Sequence, residues 1–557
     1  MSNKEIWSIL FCLLALILAL PACAGPTATT GATTTSETAT PTTIVRVDPE
    51  GTLVAALSDF GNENFLPWQT SIGSSQICDL VYDMLIYWDE VNRKFIPGIA
   101  ESWEVSPDAL TATYHLRKGI QFSDGWGELT SADVMFNFEM QASPKSMGKT
   151  AESRNIESMD TPDPYTLVVH LKKTAPAFIG AFSLGNGGNY QGIASKKYVE
   201  TIGEETASQK PIGSGPFKLV ESQLGSYYTL EAFDNHWRVV PEFKSLTLRL
   251  IPEVSSVVAA LKNNEVDLAS VPSEQLAGLK NAGLATEITP TGVYFTTWGG
   301  LAVPEDPRYD PAYHNKSPWT DVRVRKALCL AIDRQAICNT IFAGAATPAG
   351  HLLFSAGMNK YQYPYDPGTA RQLLKDAGYP DGFSFEVISY VMPGVPEMPR
   401  VQEALAGYWQ QIGLNPKITV IDYNAYQKQR VQMKTTGNIA ASKCGPAVDM
   451  WDKVNLWLPP NCVSPAFQDE ASLKIWKEGT TKLNADERAA YIDKLNQYFF
   501  ENIGPMPIVN LSQAFAWNSG KIGAWPHSPI TVPYYLEYVR HAQPLNTFRL
   551  FTPWPGR

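Results

Sequence analysis

Asp366-Pro-Gly-Thr-Ala-Arg-Gln-Leu-Leu-Lys-Asp-Ala-Gly378, with Phe383-Ser-Phe-Glu-Val387 shortly after it, spells out a complete helix followed by a strand. Asp366 is an N-cap whose carboxylate suits the free N–H groups of the first turn, and Pro367 takes N1, where a missing N–H costs nothing. Ala370, Leu373, Leu374 and Ala377 form one apolar stripe, and Gly378 stands where a helix closes in a left-handed turn. Phe383, Phe385 and Val387 then alternate as strand residues do.

The same rhythm continues on both sides. Val401 to Ile412 is an amphipathic helix stopped by Gly413, and Ile418-Thr-Val-Ile421 is a strand. Upstream, Val324, Ala327, Leu328, Ala331 and Ile332 share one helix face, with Arg323 and Arg325 mainly off it, as on a solvated or salt-bridged surface. Downstream, 485–500 reads as a helix and Pro507-Ile-Val-Asn510 as a strand. Strands alternating with helices predict an α/β lobe.

The first half is richer in strands. Thr52-Leu-Val-Ala-Ala-Leu-Ser58 is a buried strand closed by Asp59 and Gly61. Residues 75–86 carry Ile77, Leu80, Val81, Met84 and Leu85 at helical spacing. Thr111, Thr113 and His115 alternate with Ala112, Tyr114 and Leu116. Thr130-Ser-Ala-Asp133 resembles a capping box ahead of Val134, Phe136 and Phe138. Tyr165 to Leu171 is a further strand. Pro211-Ile-Gly-Ser-Gly-Pro-Phe217 lacks the Gly-Lys-Ser/Thr ending of a phosphate loop and leads into Lys218-Leu-Val, so it reads as a tight turn before a strand.

In this order the segments resemble the extracytoplasmic solute-binding proteins of ABC importers, in the oligopeptide, dipeptide and nickel family. The matching pieces are Ala100-Glu-Ser-Trp-Glu-Val-Ser-Pro-Asp108, Tyr114-His-Leu-Arg-Lys-Gly119, Phe122-Ser-Asp-Gly125, Thr130-Ser-Ala-Asp-Val134, Pro211–Phe217, Leu261-Lys-Asn-Asn-Glu-Val-Asp-Leu268, Asp321–Leu328 with Ala331-Ile-Asp-Arg334, and Asp366-Pro367 through to Pro380. They span about residues 50 to 510. The resemblance implies a two-lobed Venus-flytrap fold of α/β lobes, with an extra subdomain in the first. The first lobe would take 44–292 plus 510–557, the extra subdomain about 87–200, and the second lobe 293–509. It also implies a peptide-like or other small polar ligand, an ABC permease with its ATPases as partner, a monomer, and no enzymatic role or cofactor.

Peptide binders of that family hold the ligand's amine with an aspartate in a segment resembling Trp-Gly-x-Asp-Tyr-x-Asp-Pro. The corresponding stretch is Lys443-Cys-Gly-Pro-Ala-Val-Asp-Met-Trp-Asp452. With Gly445 on the motif's glycine, the aspartate position falls near Ala447, while Asp449 and Asp452 lie close by. The departure leaves open a different cation, an unusual peptide or a neutral ligand such as a sugar. Trp298, Tyr390, Trp451 and Trp457 are aromatic candidates for the cleft, and each reads equally as core. Asn62 and Asn64 are amide candidates, or else loop stabilisers.

The chain opens with an apolar run, Ile6 to Ala22, ending in Leu20-Pro-Ala-Cys23. This resembles a lipoprotein signal over 1–22 with Cys23 lipidated; a plain cleaved signal and an uncleaved anchor are the alternatives. The Thr-rich segment 23–43 lacks the apolar surface to fold and reads as a tether. The expected location is therefore extracytoplasmic and lipid-anchored. Hydrophobic residues make up 44% and charged residues 18%, a globular balance. A formal charge of −10 excludes nucleic acid as the main partner. No Cys or His spacing suggests a metal, and Cys444 with Cys462 is the candidate disulfide. A secreted hydrolase is the enzyme alternative, without a Gly-x-Ser-x-Gly or His-Glu-x-x-His site to carry it. A receptor for a sensor system is the other.

Overall fold

The computed structural model describes residues 48–89, 94–147, 151–175, 178–181, 192–234, 236–353, 360–390, 395, 397–445, 450–462, 464–482, 485–524 and 536–542. The strands that organise it are β1 (Thr52–Leu57), β2 (Ala100–Val105), β3 (Thr111–Leu116), β4 (Ile156–Asp163), β5 (Thr166–Leu171), β6 (Phe217–Gln223), β7 (Tyr227–Ala232), β8 (Ser245–Leu250), β9 (Leu268–Val271), β10 (Ala285–Trp298), β11 (Ser384–Ser389), β12 (Asn415–Val420), β13 (Asn438–Cys444) and β14 (Met506–Trp517). The helices used below are α1 (Ile72–Val81), α2 (Ser131–Ala142), α3 (Val322–Leu330), α4 (Pro367–Asp376), α5 (Met398–Gln411), α6 (Met450–Trp457) and α7 (Ala485–Asn502).

One mixed sheet runs through the structure in the order β12-β11-β13-β10-β14-β9-β1-β8-β7-β6, with the short strand Thr347–Pro348 paired beside β14. Strands β2 to β5 form a separate antiparallel sheet, ordered β2-β3-β5-β4. Its inward residues are those that the alternation marks: Ala112, Tyr114 and Leu116 on β3, and Leu167, Val169 and Leu171 on β5.

Helix boundaries follow their local chemistry. Asp366 Oδ1 accepts from the Thr369 amide at 2.9 Å, and Ala370 and Leu374 are buried. Gly378, at φ +92°, closes α4. Thr130 and Asp133 form the reciprocal capping box of α2. The helix expected over 75–86 starts and stops earlier, at Ile72 and Val81, with Tyr82 already extended. Tertiary contacts override the periodicity here. Asp83 is drawn into a buried cluster, accepting from Tyr87 Oη (2.8 Å), Trp237 Nε1 (2.6 Å), His236 Nε2 (3.0 Å), Arg238 (3.1 Å) and Ser214 Oγ (3.2 Å). Pro211–Phe217 is the tight turn before a strand that the sequence suggests. A Cβ at Gly215 would meet the Val81 carbonyl carbon at 2.5 Å, so the turn packs directly on the end of α1.

The apolar cores change over along the two long strands. One core runs from Leu53 through Trp68, Tyr114, Val169 and Leu246, and regains the chain at Phe515, Ile522 and Leu536. A small neighbouring cluster joins Val257, Leu261, Val266 and Leu279 to Ala514 and Ala516. The other large core takes its residues from Val293 to Leu511. Among the described strands β14 contributes to both sides, with Met506 to Leu511 in one core and Ala514 to Ala516 on the other, and β10 runs beside it. They pair antiparallel from Ala285↔Trp517 to Thr296↔Met506, with an irregularity between Pro290 and Gly292.

Candidate functional site

Strand direction picks out one region of the molecule. On the first-core side, β1 is parallel to β8 and β9. The carboxyl end of β9, Val271, pairs with Ala514, near the change-over on β14. On the second-core side, β11 is parallel to both β12 and β13. The carboxyl end of β13, Cys444, pairs with Val293, again at the change-over. Both sets of parallel strands thus point their carboxyl ends at the stretch where the paired strands β10 and β14 cross from one core to the other. In open α/β sheets that is where the crevice for a ligand lies. The segments leaving those ends are Asp59–Asn64 after β1, the 3-10 turn Ser273–Gln275 after β9, Tyr390 onward after β11, and Gly445 after β13. Ser273 Oγ reaches across to the Phe342 carbonyl at 3.5 Å.

Gly292 is the tightest point of this crossing. A Cβ there would sit 2.6 Å from the Cys444 carbonyl oxygen and 2.9 Å from Lys443 Cε, and its φ is +156°. Lys443 therefore lays its stem over the crossing strand. Burial pulls its ammonium below the ordinary lysine range; Lys453 adds like-charge repulsion, while Cys444 and Glu397 work the other way. Glu397, just ahead of α5, is held above the ordinary carboxylate range, chiefly by burial and further by Glu274 from the first-core side.

The residues proposed from sequence are dispersed. Asn62 is exposed and organises its own loop: its amide donates to the Gln69 carbonyl (2.8 Å), and its Oδ1 accepts from the Ser71 amide (3.2 Å) and Ser74 Oγ (3.0 Å). Asn64 Nδ2 donates to Gln69 Oε1 at 2.9 Å and its Oδ1 accepts from the Leu66 amide at 3.1 Å. Both amides do the loop-stabilising work, at the carboxyl end of β1. Trp298 sits at the far end of β10, in the core, with Nε1 donating to the carbonyls of Ile503 (3.0 Å) and Gly504. Trp457 packs on Phe295 in the same core, with ring centroids 5.4 Å apart. Trp451 lies over Gly479 and against Tyr491, joining α6 to the helices behind the sheet. Tyr390, at the carboxyl end of β11, donates from its hydroxyl to the Ala441 carbonyl and stacks on Tyr426 at 5.0 Å. All four rings are buried. Asp449 and Cys23 lie outside the described residues.

Cys444 and Cys462 are free buried thiols in different surroundings, not a disulfide. Cys444 ends β13, whereas Cys462 Sγ lies 3.8 Å from Gln468 Nε2. Arg325 is buried rather than solvated. It donates to the carbonyls of Asn502, Ile503, Trp319 and Thr320, filling acceptors that the end of α7 leaves open. Arg323 pairs with Asp321 at 2.6 Å, the salt-bridged reading. A cavity of about 10 Å³ lined by Trp298, Tyr426 and Pro465 lies at the end of β10 away from the crossing, and has room for one water. Sequence reasoning passed over Lys443, Lys453 and Glu397 as site residues. Lys443 stood at the head of the Lys443–Asp452 segment, but nothing local marks its stem as lying against a neighbouring strand. No group of three or more His, Cys, Asp or Glu residues among the described residues is arranged to hold a metal. No described helix is long and apolar enough to cross a membrane.

Comparisons with known proteins agree with this geometry. A family model described as bacterial extracellular solute-binding proteins, family 5 middle, matches residues 94–458. Heme-binding protein A of Haemophilus influenzae is 26% identical over 483 residues, covering 81% of this chain and 85% of its own. The dipeptide-binding protein of Escherichia coli is 28% identical over 413 residues, covering 68% and 75%. Among solved structures, a periplasmic binding protein of Helicobacter pylori in complex with the peptide STSA superposes with a TM-score of 0.71 at 21% identity, over 89% of this chain and 99% of that one. A Brucella suis protein in complex with Fe(III)-EDTA superposes at 0.74 with 19% identity, over 88% and 100%.

Proposed function

The chain belongs to family 5 of the bacterial extracellular solute-binding proteins, and from that premise we propose that it captures its solute at the crossing of β10 and β14 and closes two lobes over it. It is the substrate-binding component of an ABC importer and works outside the cytoplasm with a membrane permease. The observation that carries the proposal is the convergence of parallel-strand carboxyl ends, from both cores, on one crossing. The lobes are 44–292 with 510–557, and 293–509, the sheet β2–β5 belonging to an extra subdomain over about 87–200. Hinge motion is taken up near Gly292 and Leu511, where two paired strands are the continuous route between the cores.

A ligand that touches both lobes favours the closed form by its differential affinity, and the closed form docks on the permease. No bond is made or broken. The segments that leave the carboxyl ends of β1 and β9 face the cleft, Asn62 and Asn64 shaping the first of them. The relatives' named ligands include a heme and a dipeptide, so the solute class is a small molecule or peptide. Residues 1–22 are the signal, Cys23 the lipidated first residue of the mature monomer, and 23–43 the leash to the membrane.

Small-angle scattering with and without ligand tests the closing motion. Native mass spectrometry of gently purified protein supplies the ligand. A saturating ligand should reduce the radius of gyration and raise the melting temperature. An unchanged scattering curve with bound ligand refutes the hinge. Cys23→Ala should release the protein from membranes, and retention of a cleaved variant refutes the lipid anchor.

A further inference from the structure

Met147 differs from the other methionines of the described residues. Its side chain stands in solvent, the residue being 67% exposed. Met84, Met398, Met433, Met450 and Met506 are buried, and Met135, Met140 and Met159 are partly so. Met147 follows α2, in the stretch assigned to the extra subdomain, yet it is bonded to the loop that leaves β1. Its amide donates to the Trp68 carbonyl at 2.9 Å, and its thioether sulfur accepts from Asn62 Nδ2 at 3.6 Å.

Asn62 organises that loop. Its Nδ2 also donates to the Gln69 carbonyl at 2.8 Å, and its main-chain amide donates to Ser71 Oγ at 2.9 Å. Its Oδ1 accepts from the amides of Ser71 and Asn64 and from Ser74 Oγ. These bonds fasten the exit of β1 to the entry of α1, at the crevice end of the first lobe. Among the partners of Asn62, the Met147 sulfur is the weakest, because a thioether is a poor acceptor. One amide hydrogen of Asn62 is therefore held by a carbonyl and the other by sulfur alone.

We propose that Met147 is an oxidation site: hydrogen peroxide converts its thioether to the sulfoxide, whose oxygen takes the Asn62 amide as donor and stiffens the cleft loop. The sulfur's solvent-facing lone pair attacks one peroxide oxygen. An S–O bond forms as the O–O bond breaks. The other oxygen leaves as hydroxide and collects the remaining proton, giving water. Methionine is oxidised by two electrons and the peroxide is reduced. The product carries a polar oxygen on a chiral sulfur, and methionine sulfoxide reductases reverse the change. In the epimer that points this oxygen at Asn62, it meets a donor already in place. A loop tied down in advance loses less freedom when a solute arrives, so the oxidised chain should hold its solute more tightly. Only that last consequence rests on the cleft reading above.

The test treats the full mature chain with hydrogen peroxide, maps it by peptide mass spectrometry, and follows amide hydrogen exchange in the loop. Among the methionines compared above, Met147 should gain oxygen first. Exchange of the Ser71 and Asn64 amides, both bonded to Asn62 Oδ1, should then slow about fivefold, the worth of one hydrogen bond. Met147→Gln offers an amide oxygen at the same reach and should slow these amides without oxidant. Met147→Leu should exchange alike before and after peroxide. The proposal is overturned if another of these methionines is oxidised before Met147, or if the oxidised parent exchanges as the untreated one does. It is equally overturned if Met147→Leu slows on treatment as the parent does, or if Met147→Gln exchanges no more slowly than Met147→Leu. None of these readouts needs a solute, so their failure leaves the hinge standing. An unchanged scattering curve with bound solute removes the hinge and leaves the oxidation site.

Discussion

Gly292→Ala should destabilise the chain at the point where its two cores meet. The added methyl would stand 2.6 Å from the Cys444 carbonyl oxygen, a backbone atom held in the β10–β13 ladder, and cannot be relieved by a side-chain rotation alone. The backbone angle of +156° adds a conformation that residues with a Cβ avoid. Strain of that kind costs about 1–3 kcal/mol. Forcing a methyl into a packed contact costs about another 1–3 kcal/mol. A loss of about 2–6 kcal/mol follows, a large share of the ~5–15 kcal/mol typical of a folded domain. Urea unfolding followed by tryptophan fluorescence reads it. Gly407→Ala is the internal contrast: Gly407 lies within α5, with nothing within 4 Å of the new Cβ. There the same chemical change should stabilise by about 0.5–1 kcal/mol. If Gly292→Ala unfolds within about 0.5 kcal/mol of the parent, the crossing is not the tight contact argued above.

Other outcomes follow from the buried charges and thiols. Asp83→Ala would strip five donors of their acceptor and leave Arg238 and His236 buried without it, a loss of about 3–5 kcal/mol seen as a lower melting temperature; an unchanged melt refutes that role. Burial pushes the Glu537 carboxyl up to about 7 from the ordinary 4.5, against the pull of Arg238. The folded chain then keeps a proton that the unfolded chain releases, so stability should fall as pH rises from about 4.5 to 7, by about 3 kcal/mol. Glu537→Gln should flatten that slope, and a parallel slope in the variant counts against it. Because Cys78, Cys329, Cys338, Cys444 and Cys462 are all free and buried, dithiothreitol should leave the melting temperature unchanged; a drop would mean a disulfide.

What can be read from sequence here is what short-range chemistry decides. The cap, stripe and glycine of α4 and the capping box of α2 are each set within a few residues, and the structure has them where the pattern puts them. The end of α1 is not local: Asp83 meets partners more than a hundred residues away, and that pull stops the helix at Val81. Trp298 reads from sequence as either cleft or core, and Arg325 as a surface side chain; both end in the core because the Ile503 carbonyl, and for Trp298 the Gly504 carbonyl, accepts from them, a partner about 180 to 200 residues away. Lys443 is the converse case: it is brought against Gly292 by the pairing of β10 with β13, residues about 150 apart, which no local pattern announces.

The position of β14 between β9 and β10 has a consequence for how the chain is made. The strands on either side of it are complete by Trp298, yet the one that joins them begins only at Met506. Through the synthesis or threading of some two hundred intervening residues, β9 and one side of β10 are bare edges able to recruit a foreign strand. The half that emerges first therefore cannot finish before the half that emerges last. A chain cut short before Met506 should associate with its own kind rather than persist as a well-behaved fragment, and a chaperone that shields strand edges would have its longest task there.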